Sequence, residues 1–158
     1  MIRDCKIGHN VKIHNPGLVN LYECEIGDNC MIGAFVEIGR GVKIGNNCKI
    51  QTGCFLCEGV TLEDNVFIAP HVCFTNDPYP PSGKDNWLPI LIKTGAGIGA
   101  NSTIRPGVTI GENSLIGMGS VVTKDILAGR IAWGNPARDR GINIYREHDL
   151  CLKNCMMN

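Results

Sequence analysis

Apolar residues recur along this chain at every sixth position, and in two long runs the phase never slips. The first run is Ile26, Ile32, Ile38, Ile44, Ile50, Leu56, Leu62, Ile68 and Phe74. The second is Ile92, Ile98, Ile104, Ile110, Ile116 and Val122. Ile7, Ile13 and Val19 precede the first run in the same step, with one extra residue before Ile26. An amphipathic helix repeats its apolar face every ~3.6 residues and a half-buried strand every ~2, so a step of six fits neither alone. It fits a short flat strand followed by a corner, three of which close a triangular coil of about 18 residues. The segments G-D-N, G-N-N and G-E-N that follow several of these isoleucines supply residues suited to sharp corners. Coils stacked about 4.8 Å apart as parallel sheet set each ladder residue over the one a full coil away. Burying one such Ile contributes roughly 1.5–3 kcal/mol. The pattern predicts an all-β chain wound as a parallel β-helix.

A second column stands two residues before the first: Cys5, Val11, Cys24, Cys30, Val36, Val42, Cys48, Cys54, Val60, Val66 and Val72. Residues two apart on a strand share a face, so this column also points inward. Five of the nine cysteines therefore occupy valine positions, where a free thiol acts as a small hydrophobe. Cys57 takes a corner position, Cys73 is expected to face outward, and Cys151 and Cys155 fall in the tail. No C-x₂-C spacing suggests a metal cage. Stacked side chains such as Cys30 and Cys48 point the same way rather than at each other. Reduced thiols and no bound metal are expected.

Between Phe74 and Ile92 the phase survives only if a loop, about residues 76–91, is extruded. Its sequence N-D-P-Y-P-P-S-G-K-D-N-W-L-P resists strand formation. Long loops on regular scaffolds are usually functional or disordered, and Trp87, Tyr79 and the prolines give this one anchors. The pattern decays after Val122. The chain divides into a β-helix domain over 1–141 and a tail over 142–158 containing a helical turn or two. Acidic and basic residues balance at 15 each, which leaves no footprint for nucleic acid or an anionic membrane. With no signal-peptide-like or membrane-spanning stretch, a cytoplasmic protein is expected.

The I-G-x-x-x-x repeats, the closing V-V-T-K-D and G-N-P-A-R, and the loop opening F-T-N-D-P-Y-P resemble the left-handed β-helix acyltransferases. Over roughly residues 1–140 the chain is similar to bacterial N-acetyltransferases of nucleotide-linked amino sugars, especially those acting on 3-amino-3-deoxy sugars such as UDP-2-acetamido-3-amino-glucuronate. The resemblance implies a left-handed coil and a homotrimer with active sites between subunits. It also implies acetyl-CoA as cosubstrate and a role in surface-polysaccharide biosynthesis. By motif, Ala100 and Met118 line the coenzyme A path, and Lys124 and Arg138 reach its phosphates. Met118 departs from the alanine common at its position. Pro81 stands where related loops often carry arginine.

The same resemblance makes Asn76 the residue for acceptor positioning: its side-chain oxygen accepts from the sugar amine and aims the lone pair at the thioester carbon. The bland alternative is an Asx turn at the loop mouth. Asp77 either binds sugar hydroxyls or caps the turn. His71, near the loop mouth, is either the general base or a solvated corner histidine. His9 and His14 fall at corners, where solvated positions are favoured, and His148 lies in the tail.

The leading expectation is an acetyl-CoA-dependent sugar N-acetyltransferase. The runner-up is an O-acetyltransferase using His71 as base, since a hydroxyl needs activation that a neutral amine does not. A zinc carbonic anhydrase-like enzyme needs three converging histidines, and four scattered ones argue against it. A noncatalytic β-helix subunit would not explain the loop and the coenzyme-A-like terminus.

Overall fold

The computed structural model describes residues 1–146. The chain is all-β and winds as a left-handed parallel β-helix of three flat sides. Side A stacks Ile2–Arg3, Asn20–Tyr22, Glu37–Ile38, Phe55–Leu56, Cys73–Phe74, Thr103–Ile104 and Val121–Val122. Side B stacks Lys6–Ile7, Glu25–Ile26, Lys43–Ile44, Val60–Leu62, Ile90–Ile92 and Thr109–Ile110. Side C stacks Lys12–Ile13, Met31–Ile32, Lys49–Ile50, Phe67–Ile68, Gly97–Ile98, Leu115–Ile116 and Arg130–Gly134. The ladder predicted from the six-residue step is the inward column: Ile26 pairs with Ile44, Ile50 with Ile68, and Ile104 with Val122. Three ridges, AB, BC and CA, run the length of the prism where the sides meet.

Backbone conformation explains the corner composition. On ridge CA the turning residue has φ between 58° and 70° at Phe35, Gly53, His71, Asn101 and Gly119. Glycine and asparagine enter this left-handed region at little cost, whereas a bulky residue does so only under constraint. Phe35 and His71 are therefore the two costly choices on that ridge.

The first coil corrects the expected phase. Leu21, fully buried and paired with Ile38, holds the ladder position, and Val19 belongs to the column two residues earlier. The extra residues lie at the corner occupied by the 3-10 turn Pro16–Leu18, and the next corner is one residue short. Both residues are aliphatic and share a face, so the step alone assigned the wrong one. Ile7 is exposed, because the first coil has a neighbour on only one side.

The cysteine column points inward, with Cys24, Cys30, Cys48 and Cys54 buried. The seven described cysteines are free thiols. Their sulfurs are not idle: Cys30, Cys48 and Cys54 each donate to a carbonyl 15 residues on, at 3.1 Å, on Gly45, Glu63 and Ala69. In the second half of the chain the same inward position holds Ser102 and Ser114, both fully buried. Ser102 Oγ donates to Gly117 O and Ser114 Oγ to Leu127 O. A small donor at this position satisfies a corner carbonyl that would otherwise be buried unpaired. Burial pushes the Cys54 thiol up to about 11, so it stays protonated at neutral pH and is a poor nucleophile.

The C-terminal end is closed by a feature the pattern did not reveal. Arg130–Gly134 turns at Asn135-Pro136 into Ala137–Ile142, which runs back antiparallel. The hairpin gives side C a terminal strand that no further coil covers among the described residues. Only a 3-10 turn at Ile144–Arg146 is described beyond it. The rest of the predicted tail helix, with His148, Cys151 and Cys155, lies outside the described residues. Among those described, no helix is long and apolar enough to cross a membrane. Among the described residues, no group of three or more His, Cys, Asp or Glu is placed to hold a metal ion.

Candidate active site

Arg40, Glu58 and Asn76 are spaced by one coil each and stand above one another on ridge AB, where side A turns into side B. Asn76 Nδ2 donates to the Glu58 carbonyl at 3.3 Å, and its own carbonyl accepts from Leu88 N at 2.9 Å. These two bonds fasten the mouth of the loop to the coil below and leave Asn76 Oδ1 without a partner among the described residues. Beside it is a cavity of about 300 Å³. Tyr22, Phe55 and Trp87 provide aromatic walls, with Arg40, Cys57 and Glu58 completing the lining. Cys57, placed at a corner by the sequence, is buried there, and burial pushes its thiol up to about 11.

Asp77 is tied into the loop itself. Its carboxylate accepts from the Ser82 hydroxyl at 2.6 Å, Ser82 N at 2.8 Å and Tyr79 N at 2.9 Å. The Ser82 hydroxyl, followed by the two amides and the Trp87 side chain, holds Asp77 below the usual carboxylate range. The loop is further fixed by Asn86 Nδ2 donating to Ser82 O and by a 2.9 Å ion pair between Lys84 and Glu58. The Lys84 ammonium also lies 5.9 Å from the Trp87 ring centre. Because the Asp77 pKa is depressed on folding, its stabilisation is present above the unfolded value of about 3.9 and is lost as pH falls through the folded value. In a Trp133→Phe background, Trp87 fluorescence is expected to stay constant from pH 8 to 5 and to change only below about pH 4. A transition centred near pH 6 would show that another group controls the loop.

His71 stands on ridge CA, at the opposite edge of side A from Asn76. Four residues of strand and corner separate them, so within one protomer they lie more than about 10 Å apart. The His71 imidazole sits exposed in the space above Gly53, where a Cβ would meet its Nδ1 at 2.3 Å. His14 falls on the same ridge and His9 on ridge BC.

Ala100 and Met118 occupy successive coils of ridge CA, with Gly119 N donating to Ala100 O at 2.8 Å. The backbone N–H groups of Ala100 and Met118 make no hydrogen bond among the described residues. The Met118 side chain is 81% exposed. Lys124 is exposed beyond the last strand of side A, on ridge AB rather than with these two. Arg138 lies opposite Trp133 in the terminal hairpin, and Trp133 packs over Gly117 on the Met118 ridge. Arg138 thus shares the upper end of ridge CA with Ala100 and Met118. Arg140, which the sequence did not single out, stacks 5.3 Å from the Trp133 ring.

The sequence reading also missed the cation cluster below Asn76. Glu23 accepts from Arg40 Nε at 2.6 Å and Arg40 Nη2 at 3.2 Å, and from Arg3 Nη2 at 3.2 Å. One carboxylate holds two guanidiniums, Asp4 pairs with Arg3 at 3.7 Å, and the Arg40 fork holds Glu23 below its ordinary pKa. The detectable signal was the one-coil spacing from Arg40 through Glu58 to Asn76, which places them on one ridge.

A stacked-coil prism with an extruded loop and an amide-bearing cavity matches one family. The bacterial transferase hexapeptide (six repeats) model matches residues 23–57, 41–76 and 89–124. The chain belongs to this family. It is 36% identical over 96 residues to galactoside O-acetyltransferase of Escherichia coli K12, covering 56% of this chain and 47% of that enzyme. It is 47% identical over 51 residues to dTDP-3-amino-3,6-dideoxy-alpha-D-galactopyranose 3-N-acetyltransferase of Aneurinibacillus thermoaerophilus, covering 32% of this chain and 27% of that one. The chain thus spans less than half the length of these curated relatives. Among solved structures, a mutant of the Bacillus cereus N-acyltransferase AntD, in complex with dTDP and coenzyme A, superposes with a TM-score of 0.72. The identity is 24%, with 96% of this chain and 89% of that chain covered. The acetyltransferase domain of PglB from Neisseria gonorrhoeae, in complex with acetyl coenzyme A, superposes with a TM-score of 0.70 at 21% identity, covering 82% of this chain and 57% of that one. These likenesses establish the shared fold.

Proposed function

We propose that this chain is an acetyl-CoA-dependent N-acetyltransferase acting on the amino group of a nucleotide-linked 3-amino sugar. The observation that carries the proposal is Asn76: a carbonyl acceptor without a partner among the described residues opens on a cavity, and no described histidine shares its ridge. Within one protomer such a site orients an amine and brings no described histidine to a hydroxyl, although Glu58 lines the cavity. The shared fold with enzymes crystallised with coenzyme A, and the 3-N-acetyltransferase relative, support the reading.

In the reaction Asn76 Oδ1 accepts one amine N–H and turns the lone pair toward the thioester carbonyl carbon. The N–C bond forms, the resulting tetrahedral centre expels the coenzyme A thiolate as the C–S bond breaks, and the ammonium proton passes to solvent or the thiolate. Holding the two reactants in line supplies much of the rate. The free Ala100 and Met118 amides are suited to pantetheine carbonyls, and Arg138 to a phosphate. Lys124 joins them only if the cofactor's far end reaches ridge AB.

The surface supports a homotrimer. Side A presents Glu37, Phe55, Cys73, Thr103 and Val121 outward, whereas side B presents Lys6, Glu25 and Lys43, followed by Thr61, Leu91 and Thr109. Phe35, 65% exposed in its costly left-handed conformation, stands with Met118 on ridge CA. Packing that ridge and side A against a neighbour covers these groups and brings Ala100 and Met118 of one copy toward Asn76 of the next.

The test is thiol release from acetyl-CoA with dTDP- and UDP-linked 3-amino sugars, their 3-hydroxy counterparts and a simple galactoside, with light scattering for mass. Turnover confined to the amines, by a particle of three chains, is expected. Product carrying an O-acetyl ester would transfer the assignment to the O-acetyltransferase reading, for which the longer match to the galactoside enzyme speaks.

A further inference from the structure

We infer that Arg40 is the phosphate-binding residue of the acceptor site, presented by Glu23, so that the sugar nucleotide lies along ridge AB with its phosphate toward the N-terminal coils. This rests on the acetyl-transfer reading of Asn76 and adds the orientation of its substrate.

Arg40 lines the same cavity as Asn76. Its Nε and one Nη2 proton engage Glu23, which leaves three N–H donors on an exposed guanidinium. Glu23 also holds Arg3 at 3.2 Å, and Arg3 is paired with Asp4 as well, so the carboxylate is shared between two guanidiniums. Lys84, on the loop, is paired with Glu58 of the cavity lining. Arg40 is therefore a lining residue that combines a fixed fork with free donors, which is what an anion with several oxygens requires.

Glu23 adopts φ 52° to make this corner. A glutamate is an unfavoured choice in that conformation, but it places one carboxylate between two arginines. Two coils separate Arg40 from Asn76, or about 10 Å. One hexose ring spans that gap, between a phosphate on the guanidinium and an amino group at Asn76. The intervening coil offers Cys57 and Glu58, and Trp87 and Phe55 stand at the sides.

The test uses the full chain with Arg40→Gln and Arg40→Lys, reading KM for the dTDP-linked 3-amino sugar, kcat, KM for acetyl-CoA, and calorimetric binding of dTDP alone. Loss of a charge-assisted contact should raise KM for the nucleotide sugar and the dTDP dissociation constant about 10–100-fold for Arg40→Gln. Arg40→Lys should recover part of it, while KM for acetyl-CoA stays within twofold, roughly the scatter of uncoupled sites. Rising salt should weaken dTDP binding by the wild-type protein more than by Arg40→Gln. Wild-type affinity for dTDP in Arg40→Gln, with wild-type turnover intact, would overturn the Arg40 assignment alone. A wild-type protein that neither binds dTDP nor acetylates the amino sugar would overturn both it and the reading beneath it. Arg40 is exposed, so its replacement leaves the core untouched; circular dichroism and a thermal melt check this.

Discussion

Asn76→Ala is expected to lower kcat about a hundredfold, while His71→Asn changes it less than about threefold; removing one hydrogen bond made to the reacting group costs a few kcal/mol. The two residues occupy opposite edges of side A, so one cavity cannot use both within a single chain. Asparagine is the better replacement at His71, whose φ of 60° penalises alanine. At Asn76 the lost Nδ2 bond to Glu58 O is only partly buried and should cost stability modestly. KM for acetyl-CoA should be nearly unchanged, since Ala100 and Met118 lie on the other ridge. A true general base would cost roughly 10²–10⁴-fold and remove one limb of the pH–rate profile. Should His71→Asn do that, the histidine of a neighbouring copy reaches the acceptor, and hydroxyl transfer becomes the better account.

The step of six made the core legible because one geometric constraint, an inward residue in every strand, is imposed along the whole prism. The same constraint explains the errors. Val19 and Leu21 both satisfy it, and the six-residue count cannot see that the corner at Pro16–Leu18 is longer and the next one shorter. Ser102 and Ser114 were hidden because hydropathy marks them as outward, although their hydroxyls satisfy corner carbonyls as the cysteines do. The terminal hairpin carries its turn in Gly134-Asn135-Pro136, a short cue without an alternating strand on either side.

Site residues were legible singly and not together. Asn76, Asp77 and Trp87 announce themselves by interrupting the repeat. Arg40 and Glu23 are ordinary corner residues until coils are stacked, and only then does their position beneath Asn76 appear. Asp77 shows the reverse limit: an acidic residue beside the proposed acceptor site, whose lone pairs the loop's own Ser82 and Tyr79 occupy. Sequence spacing cannot distinguish a carboxylate waiting for sugar from one that closes a turn.

Phe74→Ala should destabilise the fold by about 3–5 kcal/mol, the range for deleting a buried aromatic side chain. Phe74 is fully buried, pairs with Ile104 in the coil above, and is the last ladder residue before the loop leaves the prism. Each coil rests only on its neighbours, so the void cannot be shared among distant layers. It weakens the contact between the coils below the loop and those above it. A stable domain has roughly 5–15 kcal/mol in total, so this one change removes a large part. Urea melts at fixed protein concentration give the measurement, the concentration being held because assembly adds to apparent stability. Lys43→Ala, on the exposed outer column of side B, should stay within about 0.5 kcal/mol. A single transition with a lower midpoint and unchanged slope is expected. Two separated transitions would mean that the coils on either side of the loop fold as independent units, joined chiefly through Phe74. A loss below about 1 kcal/mol would mean the layer can collapse around the missing ring, contrary to the close packing of a prism whose backbone is fixed by hydrogen bonds on three sides.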